Sequence, residues 1–327
     1  MRILKIVILS FFALIVIYFL GPKPPKPVLS ESLPTVASIN TLDTYITAME
    51  APYKIKPNNE AKIIWADSSK TQTDYAIVYL HGFSASQMEG DPVHQNIAKQ
   101  FHCNLYLARL AEHGIDTTED LMNLTAEKYW ESAKLAYAIG KQIGKKVILM
   151  STSTGGTLAL QLAANHPEIA GLILYSPNIE VFNPSAPLLN NPWGLQIGRT
   201  VLKSNYVDIK YKDSAYPKFW NTHYRIEAVV ALQNLLEATM TETTFKKIHQ
   251  PTLALYYYKD EANQDNVVKV GAIQKMMQQI ATPTNLKMEM AMPNTGNHVI
   301  ASPIVSKDIV SVEQATAKFM QELIIKK

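Results

Sequence analysis

The sequence has little that would build a disulfide, a zinc centre or a nucleic-acid surface. Its single cysteine, Cys103, rules out an internal disulfide and a cysteine-rich zinc site. No two histidines stand at a zinc-ligand spacing with an acid nearby. The formal net charge of +3 is small, and no basic stripe with interleaved aromatic residues indicates nucleic-acid binding. We therefore expect no metal, no cofactor and no nucleic-acid partner.

The composition is that of a globular protein with one large domain. The chain has 327 residues, of which 47% are apolar, so a sizeable core is possible. It shows no internal repeat and no low-complexity tract. We divide it into an N-terminal segment (1–21), a proline-rich linker and strap (22–59) and a main domain (60–327). The sequence leaves the oligomeric state open.

The N-terminal segment differs from the rest of the chain. Arg2 and Lys5 precede the apolar run Ile6–Leu20, which approaches the ~20 residues that span a bilayer. A stiff proline-rich spacer follows, and bulky residues stand where a signal peptidase needs small ones. We expect an uncleaved membrane anchor, with the main domain on the exported, periplasmic or extracellular side. The alternative is secretion after signal cleavage.

Strand-like and helix-like runs alternate through most of the main domain. The predicted strands are Ala61–Ala66, Tyr75–Leu80, Asn104–Ala108, Val147–Met150, Ile169–Tyr175, Pro251–Tyr258 and Leu286–Ala291. Between them, amphipathic patterns predict helices such as Pro92–Gln100, Ala126–Gly144, Val267–Ile280 and Asp308–Ile325. This alternation predicts an α/β fold, with a mostly parallel sheet flanked by helices on both faces.

The alternation stops between residues 177 and 249. Prolines interrupt this insertion, and its last third, Asn221–Lys247, shows apolar residues at helical spacing. About seventy residues are too many for a plain connection between two strands. We interpret the insertion as a cap over a site, whose aromatic residues mostly form the cap's own core while a minority line a pocket.

The run Val147–Gly156 predicts a sharp strand-to-helix turn. Four apolar residues indicate a buried strand, and Ser151–Gly156 is small and polar before a helix begins. A serine at the apex of such a turn, here Ser153, projects its hydroxyl from the sheet edge. Ser151 stands where glycine is usual, a mild departure.

Other reactive side chains follow other predicted strands. His81-Gly82-Phe83 comes after one strand, Asp260 and Asp265 come after another, and His298 follows the last. Because binding sites of parallel sheets lie at the carboxyl ends of strands, these loops are expected to meet. A serine hydroxyl needs a base, which a histidine supplies, and an acid then orients that histidine. Either aspartate satisfies this requirement.

The chain resembles the α/β-hydrolases, and within them the capped carboxylesterase and monoacylglycerol lipase group, over roughly residues 63–325. The matching motifs are His81-Gly82-Phe83, the turn serine Ser153, Gly296-Asn297-His298 and Glu112-His113-Gly114, with Glu112 in place of the usual glycine. The resemblance implies a helical cap after the sixth strand. It also favours Asp265 as the acid, because Asp265 precedes Val267-Val268 as the group's D-x-x-V acid does.

The resemblance implies a serine hydrolase that cleaves carboxylic esters of a small acyl substrate through an acyl-enzyme on Ser153. The expected catalytic residues are Ser153, Asp265 and His298, with Asp260 as the rival acid. The backbone N–H groups of Phe83 and Thr154 are the expected oxyanion hole. The alternatives are an amidase, peptidase or thioesterase with the same residues, and a non-catalytic binding protein of hydrolase fold.

Overall fold

A computed structural model describes residues 2–325 of the chain, with side chains from residue 3 onward. Eleven strands occur within this range. They are β1 (Lys62–Ile64), β2 (Thr73–Leu80), β3 (Asn104–Leu107), β4 (Gly144–Thr152), β5 (Gly171–Tyr175), β6 (Tyr206–Asp208), β7 (His223–Arg225), β8 (Thr252–Tyr256), β9 (Tyr258–Asp260), β10 (Asn263–Gln264) and β11 (Lys287–Ala291).

The described residues also form eleven α-helices. They are α1 (Arg2–Phe19), α2 (Leu42–Glu50), α3 (Val93–Gln100), α4 (Ala126–Ile143), α5 (Thr154–Asn165), α6 (Gly194–Leu202), α7 (Tyr216–Phe219), α8 (Ile226–Thr239), α9 (Glu242–Phe245), α10 (Val270–Gln279) and α11 (Ile309–Phe319).

Seven strands form the central sheet, in the order β1-β3-β2-β4-β5-β8-β11. Only β1 runs antiparallel to its neighbour within this sheet, and the other neighbouring strands pair in parallel. The predicted α/β architecture is therefore confirmed. The carboxyl ends of the parallel strands β2, β4, β5, β8 and β11 lie at one edge, which is the edge where the predicted site residues follow.

The alternation of side chains along the strands builds a separate core on each face of the sheet. In β2, Ala76 and Val78 belong to the cluster that includes α4 and α5, whereas Ile77 and Tyr79 belong to the one that includes α3 and α11. This period of two places every second strand residue on the same face. Because both faces are covered by helices, the buried stretches of the central strands, such as residues 76–80 of β2 and 147–150 of β4, are apolar on both faces.

The strap crosses the outer surface of α4. The Trp130 indole donates a hydrogen bond to the carbonyl of Ser30 (2.6 Å), and Lys134 donates one to the carbonyl of Ser32 (2.8 Å). Leu42 of α2 is fully buried in the same core cluster as Trp130. Helix α2 thus holds the strap on the main domain, and the division of the chain into three parts stays a prediction.

The cap lies between β5 and β8 and contains α6, α7, α8, α9 and the antiparallel pair β6–β7. The described residues form five strands before residue 177, so the cap follows the fifth strand in chain order, whereas the resemblance implied the sixth. The single helical segment predicted for Asn221–Lys247 is divided into β7, α8 and α9, because Thr241 caps a new helix by accepting the N–H of Thr244 (3.2 Å).

The N-terminal helix α1 is 18 residues long. Within the residues that the structure describes, no helix is both long enough and apolar enough to cross a membrane. The membrane anchor predicted for residues 1–21 is therefore not supported. Secretion after signal cleavage stays a prediction.

Candidate active site

Ser153 occupies the turn between β4 and α5 in a backbone conformation that serine rarely adopts. Its φ is 53° and its ψ is −120°. Its N–H donates to the carbonyl of Tyr175 (2.9 Å), and its own carbonyl accepts from Gly156 and Asn178 (2.8 and 2.9 Å). Three backbone hydrogen bonds therefore hold the strained residue in place, as is typical of a nucleophile at the apex of such a turn.

The small residues around Ser153 are required by close backbone contacts. A Cβ at Gly155 would lie 1.9 Å from the carbonyl oxygen of Leu80, and one at Gly156 would lie 2.7 Å from Pro177 Cβ. Ser151 is fully buried, and its hydroxyl donates to the carbonyl of Ile173 (3.4 Å). Serine therefore fits where a glycine was expected.

Asp265 and His298 are joined by a short hydrogen bond. The distance between His298 Nδ1 and Asp265 Oδ2 is 2.6 Å, and the aspartate side chain is fully buried. The other carboxylate oxygen, Oδ1, accepts the backbone N–H groups of Val267 and Val268 (2.8 and 3.0 Å). These bonds fix the carboxylate and leave Nε2 of the imidazole as the free ring nitrogen.

The pair shifts both pKa values in the directions that favour charge on each partner. Burial alone would raise the pKa of Asp265, but the charge of His298 and the three hydrogen bonds outweigh it, so this pKa is lowered. Burial alone would lower the pKa of His298, but the charge and hydrogen bond of Asp265, with a contribution from Glu89, raise it. An imidazolium is therefore stabilised at this position.

Asp260, the rival acid, has a different role. It lies at the end of β9, and its Oδ1 accepts the N–H groups of Ala262 and Asn263 (3.0 and 2.9 Å). The Asn263 side chain donates to both of its carboxylate oxygens (2.8 and 3.0 Å). Asp260 therefore stabilises its own exposed turn, and Asp265 is the acid that contacts His298.

Ser153 and His298 line the same cavity, which has a volume of about 290 Å³. Its walls come from the loops after β2, β4 and β11 and from the cap. The cap contributes mainly apolar and aromatic side chains, which are Val181, Ala186, Ile209, Tyr216, Trp220, Tyr224, Val229 and Leu232. The expectation that a minority of the cap aromatics line a pocket agrees with this lining.

His81 holds the loop after β2, which comprises residues 82–89. We call it the oxyanion loop, after the N–H donor expected at Phe83. The N–H of Leu110 donates to His81 Nε2 (3.0 Å), so the ring proton is on Nδ1, which donates to the carbonyl of Gly82 (2.8 Å). Burial lowers the pKa of His81 to about 4, which keeps the ring neutral. Because C=O and N–H point in opposite directions across a trans peptide, this bond directs the Phe83 N–H away from His81.

Gly82 and Thr154 bring the two expected oxyanion donors near the serine. A Cβ at Gly82 would lie 3.0 Å from Ser153 Cβ, so only glycine lets the oxyanion loop approach this closely. Thr154 is the first residue of α5, where backbone N–H groups lack partners within the helix and the helix dipole favours negative charge. Phe83 and Thr154 both line the cavity.

Comparisons with known proteins match this chain to hydrolases. A family model described as "Serine aminopeptidase, S33" matches residues 131–293. A thermostable monoacylglycerol lipase from Bacillus sp. is 29% identical over 105 residues, which are 32% of this chain and 41% of that protein. The match therefore spans about two fifths of the length of this relative.

Solved structures share the fold over most of the chain. One is from a study of LipS and LipT, two metagenome-derived lipolytic enzymes (TM-score 0.65, 16% identity, 81% of this chain and 98% of that one). Another is Est1E from Butyrivibrio proteoclasticus with bound ferulic acid (TM-score 0.56, 17% identity, 84% and 99%). A third is a Paleococcus ferrophilus monoacylglycerol lipase (TM-score 0.57, 12% identity, 80% and 97%).

The chain has the α/β-hydrolase fold. Among proteins of this fold it is similar to the lipase and esterase group, as its motifs indicate. The departure at Glu112 is accommodated, although its φ of 66° lies in the left-handed region that favours glycine. Its carboxylate pairs with Lys128 (2.9 Å), and the adjacent His113 accepts the N–H of Ser84 (3.0 Å), so this segment supports the oxyanion loop.

Two residues of this α/β-hydrolase site have no counterpart in the predicted set. Glu89 and Trp220 both line the cavity and are 2% and 3% exposed. Neither stands directly after a strand or in a recognisable motif, and the sequence indicates Trp220 only as one of the cap aromatics, a minority of which are expected to line a pocket. The only signal is that Glu89 follows the His81-Gly82 turn closely enough to fold back onto it.

Proposed function

We propose that the protein hydrolyses carboxylic esters through an acyl-enzyme on Ser153. The observation that carries the proposal is the 2.6 Å bond between Asp265 and His298, in an imidazole that lines the same cavity as Ser153. The N–H groups of Phe83 and Thr154 are the proposed oxyanion donors. The lipase and esterase names of the similar proteins support the same reaction class.

The first half-reaction forms the acyl-enzyme. His298 Nε2 takes the proton of the Ser153 hydroxyl as the oxygen attacks the ester carbonyl. Asp265 stabilises the resulting imidazolium, and the negative charge on the carbonyl oxygen is stabilised by the Phe83 and Thr154 N–H groups. The tetrahedral intermediate collapses when the C–O bond to the alcohol breaks and His298 protonates the departing alkoxide.

The second half-reaction repeats these steps with water. His298 removes a proton from a water molecule as the water oxygen attacks the acyl carbon of the ester on Ser153. The bond to Ser153 then breaks, the serine oxygen regains its proton from His298, and the carboxylic acid leaves. Each proton taken by the histidine is returned, so the enzyme ends in its starting state.

The cavity favours modest, uncharged acyl groups. Its volume of about 290 Å³ is at the small end for ligand sites, and the cap side chains that line it are mainly apolar and aromatic. Esters of short to medium acyl chains fit this size and lining. The identity of the alcohol is left to experiment.

Hydrolysis of an amide or peptide is the second candidate, because the matching family model is described as a serine aminopeptidase. The same three catalytic residues would serve it, and fold does not decide the bond cleaved. A panel that pairs p-nitrophenyl esters with p-nitroanilides of the same acyl groups separates the two. Ester cleavage is the expected result, and faster anilide cleavage would favour the peptidase.

The nucleophile is tested by labelling with a fluorophosphonate probe. We expect the wild type and Ser151→Ala to be labelled and Ser153→Ala to remain unlabelled. Ser151 is a suitable control because it is buried two residues away on β4 and takes no part in the proposed chemistry. Labelling of Ser153→Ala at the wild-type rate would remove Ser153 as the nucleophile.

A further inference from the structure

A second concave space adjoins the cavity that holds Ser153 and His298. It is a surface groove of about 400 Å³, lined by the start of the cap, by α8, α9 and by α10, and we call it the cap groove. Three residues, Val181, Ala186 and Gln233, line both the cavity and the cap groove. These three residues therefore form the wall between the two spaces.

The cavity and the cap groove lie in succession along one face of α8. Val229 and Leu232 line the cavity, Leu236 and Met240 line the groove, and Gln233 lines both. A spacing of three or four residues places side chains on the same side of a helix. A chain-shaped ligand that follows this face out of the cavity therefore reaches the groove at Gln233.

The cap groove is apolar at its bottom and charged at its rim. Leu236 and Phe245 are buried among its lining residues, whereas Glu242 and Lys275 are exposed. Covering apolar surface is favourable in proportion to the area removed from water. An alkyl chain that lies on the buried residues gains this free energy, so the groove suits the distal part of an acyl chain.

The wall between the two spaces has two short, fixed members and one long, flexible one. Val181 forms a β-bridge with Val268, and Ala186 carries only a methyl group. Gln233 is buried, and its side-chain amide donates to the exposed Glu237 one turn further along α8 (2.9 Å). Gln233 is therefore the member of the wall that a substrate can displace and that a substitution can remove.

Building on the proposed ester hydrolysis, we propose that Gln233 sets the acyl length of the substrate and that the cap groove is a subsite for longer acyl chains. Short and medium chains end inside the catalytic cavity, at Gln233. A longer chain displaces the Gln233 side chain and lays its distal methylene groups on the buried apolar residues of the groove. The glutamine thus makes long chains slower substrates without excluding them.

The test compares kcat/KM for p-nitrophenyl laurate and butyrate, each below its aggregation concentration. Gln233→Ala removes the partition and should raise the laurate-to-butyrate ratio by on the order of tenfold, since an apolar site distinguishes single methylene groups by such factors. Gln233→Leu keeps a side chain of similar volume and should raise the ratio much less. A rise in this ratio cannot come from loss of folded protein, because unfolding lowers both rates together.

A second pair of variants tests the groove itself. Ala272 of α10 lines the cap groove and does not line the cavity, so Ala272→Phe adds a ring beyond the partition. In the Gln233→Ala background it should return the ratio toward the wild-type value. As a single variant it should lower kcat/KM for laurate more than for butyrate. Val310→Phe, at an exposed position of α11, should leave the ratio unchanged in both backgrounds.

Reversed esters show which half of the substrate enters the groove. Dodecyl acetate carries the long chain on the alcohol, so Gln233→Ala should not raise its hydrolysis relative to butyl acetate, measured as released acetic acid. A gain for dodecyl acetate in place of laurate would overturn the assignment of the groove to the acyl chain.

Three other results would overturn the proposal. They are an unchanged laurate-to-butyrate ratio in Gln233→Ala, an equal rise in Gln233→Leu, and a gain that survives Ala272→Phe. Failure of the proposed function is distinguishable, because the wild type would then show neither fluorophosphonate labelling nor butyrate turnover.

Discussion

The core loops and the cap line one cavity but contribute different groups to it. The core contributes polar groups in fixed positions, since Ser153 is held by three backbone hydrogen bonds and Asp265 by two backbone N–H groups. The cap contributes mainly apolar and aromatic side chains to the cavity wall. It is bound to the core through backbone and side chains alike, as at Arg225, whose N–H donates to the Asp120 carbonyl (3.0 Å) and whose guanidinium pairs with Glu119 (2.9 Å). We infer that the core sets the chemistry and the cap sets the substrate.

The largest expected effect separates two aspartates of the core. Asp265→Asn should lower kcat by roughly 10⁴-fold, because the imidazole loses the group that fixes its tautomer and stabilises its charge. Asp260→Asn should remain within about twofold of the wild type, since surface changes of this kind have small effects. Steady-state kinetics on a p-nitrophenyl ester measure both. A large loss in Asp260→Asn alone would reverse the assignment.

The pH dependence of kcat/KM tests the role of Asp265 in a second way. The free enzyme needs neutral His298, so kcat/KM should fall as the pH drops through the pKa of His298, which Asp265 raises. In Asp265→Asn the anion is gone and burial lowers this pKa, so the acid limb of the residual activity should move to lower pH. A limb that stays in place or moves to higher pH would show that another group controls it.

The next effect concerns Gly82, where the oxyanion loop approaches the turn that carries Ser153. Gly82→Ala places a Cβ 2.9 Å from the Glu89 oxygens and 3.0 Å from Ser153 Cβ, so the oxyanion loop must shift. We expect kcat to fall by roughly 10²-fold, with a smaller change in KM. Gly271→Ala in α10 is the matched control, because nothing lies within 4 Å of the added Cβ. Equal kinetics for the two variants would contradict the proposed site.

The smallest effect tests the cap. Val229→Phe adds a ring to the cavity wall, so kcat/KM for octanoate esters should fall about tenfold relative to acetate esters. Val310→Phe, on an exposed position of α11, should leave this ratio unchanged. An equal loss for both acyl lengths in Val229→Phe would mean that this wall of the cap does not select the acyl group.

Sequence predicts well where the proposed site residues lie when they follow strands directly. Ser153, Asp265 and His298 each come after a strand, and buried strands are marked by short apolar runs. The choice of Asp265 over Asp260 needed the resemblance, because both aspartates follow β8. Only the structure shows that Asp260 accepts hydrogen bonds within its own turn.

What sequence did not predict depends on contacts between distant segments. Glu89 is recognisable only once its carboxylate is seen beside Gly82 and in the same cavity wall as Trp220, and Trp220 is 131 positions further along the chain. The cap elements were also poorly predicted, since the apolar residues in Asn221–Lys247 do not show where a strand ends and a helix begins. The structure places Arg225 at that boundary, where it is fixed by pairing with Glu119 and Glu227.

The central claim is that a covalent ester forms on Ser153 during turnover. The most direct measurement is mass spectrometry of wild-type protein quenched in acid within the first turnovers of a p-nitrophenyl acetate reaction, followed by peptide mapping. We expect one acetyl group, located on Ser153 and absent from Ser153→Ala. An acetyl group confined to another residue, or turnover with no acylated protein while Ser153→Ala stays active, would contradict it.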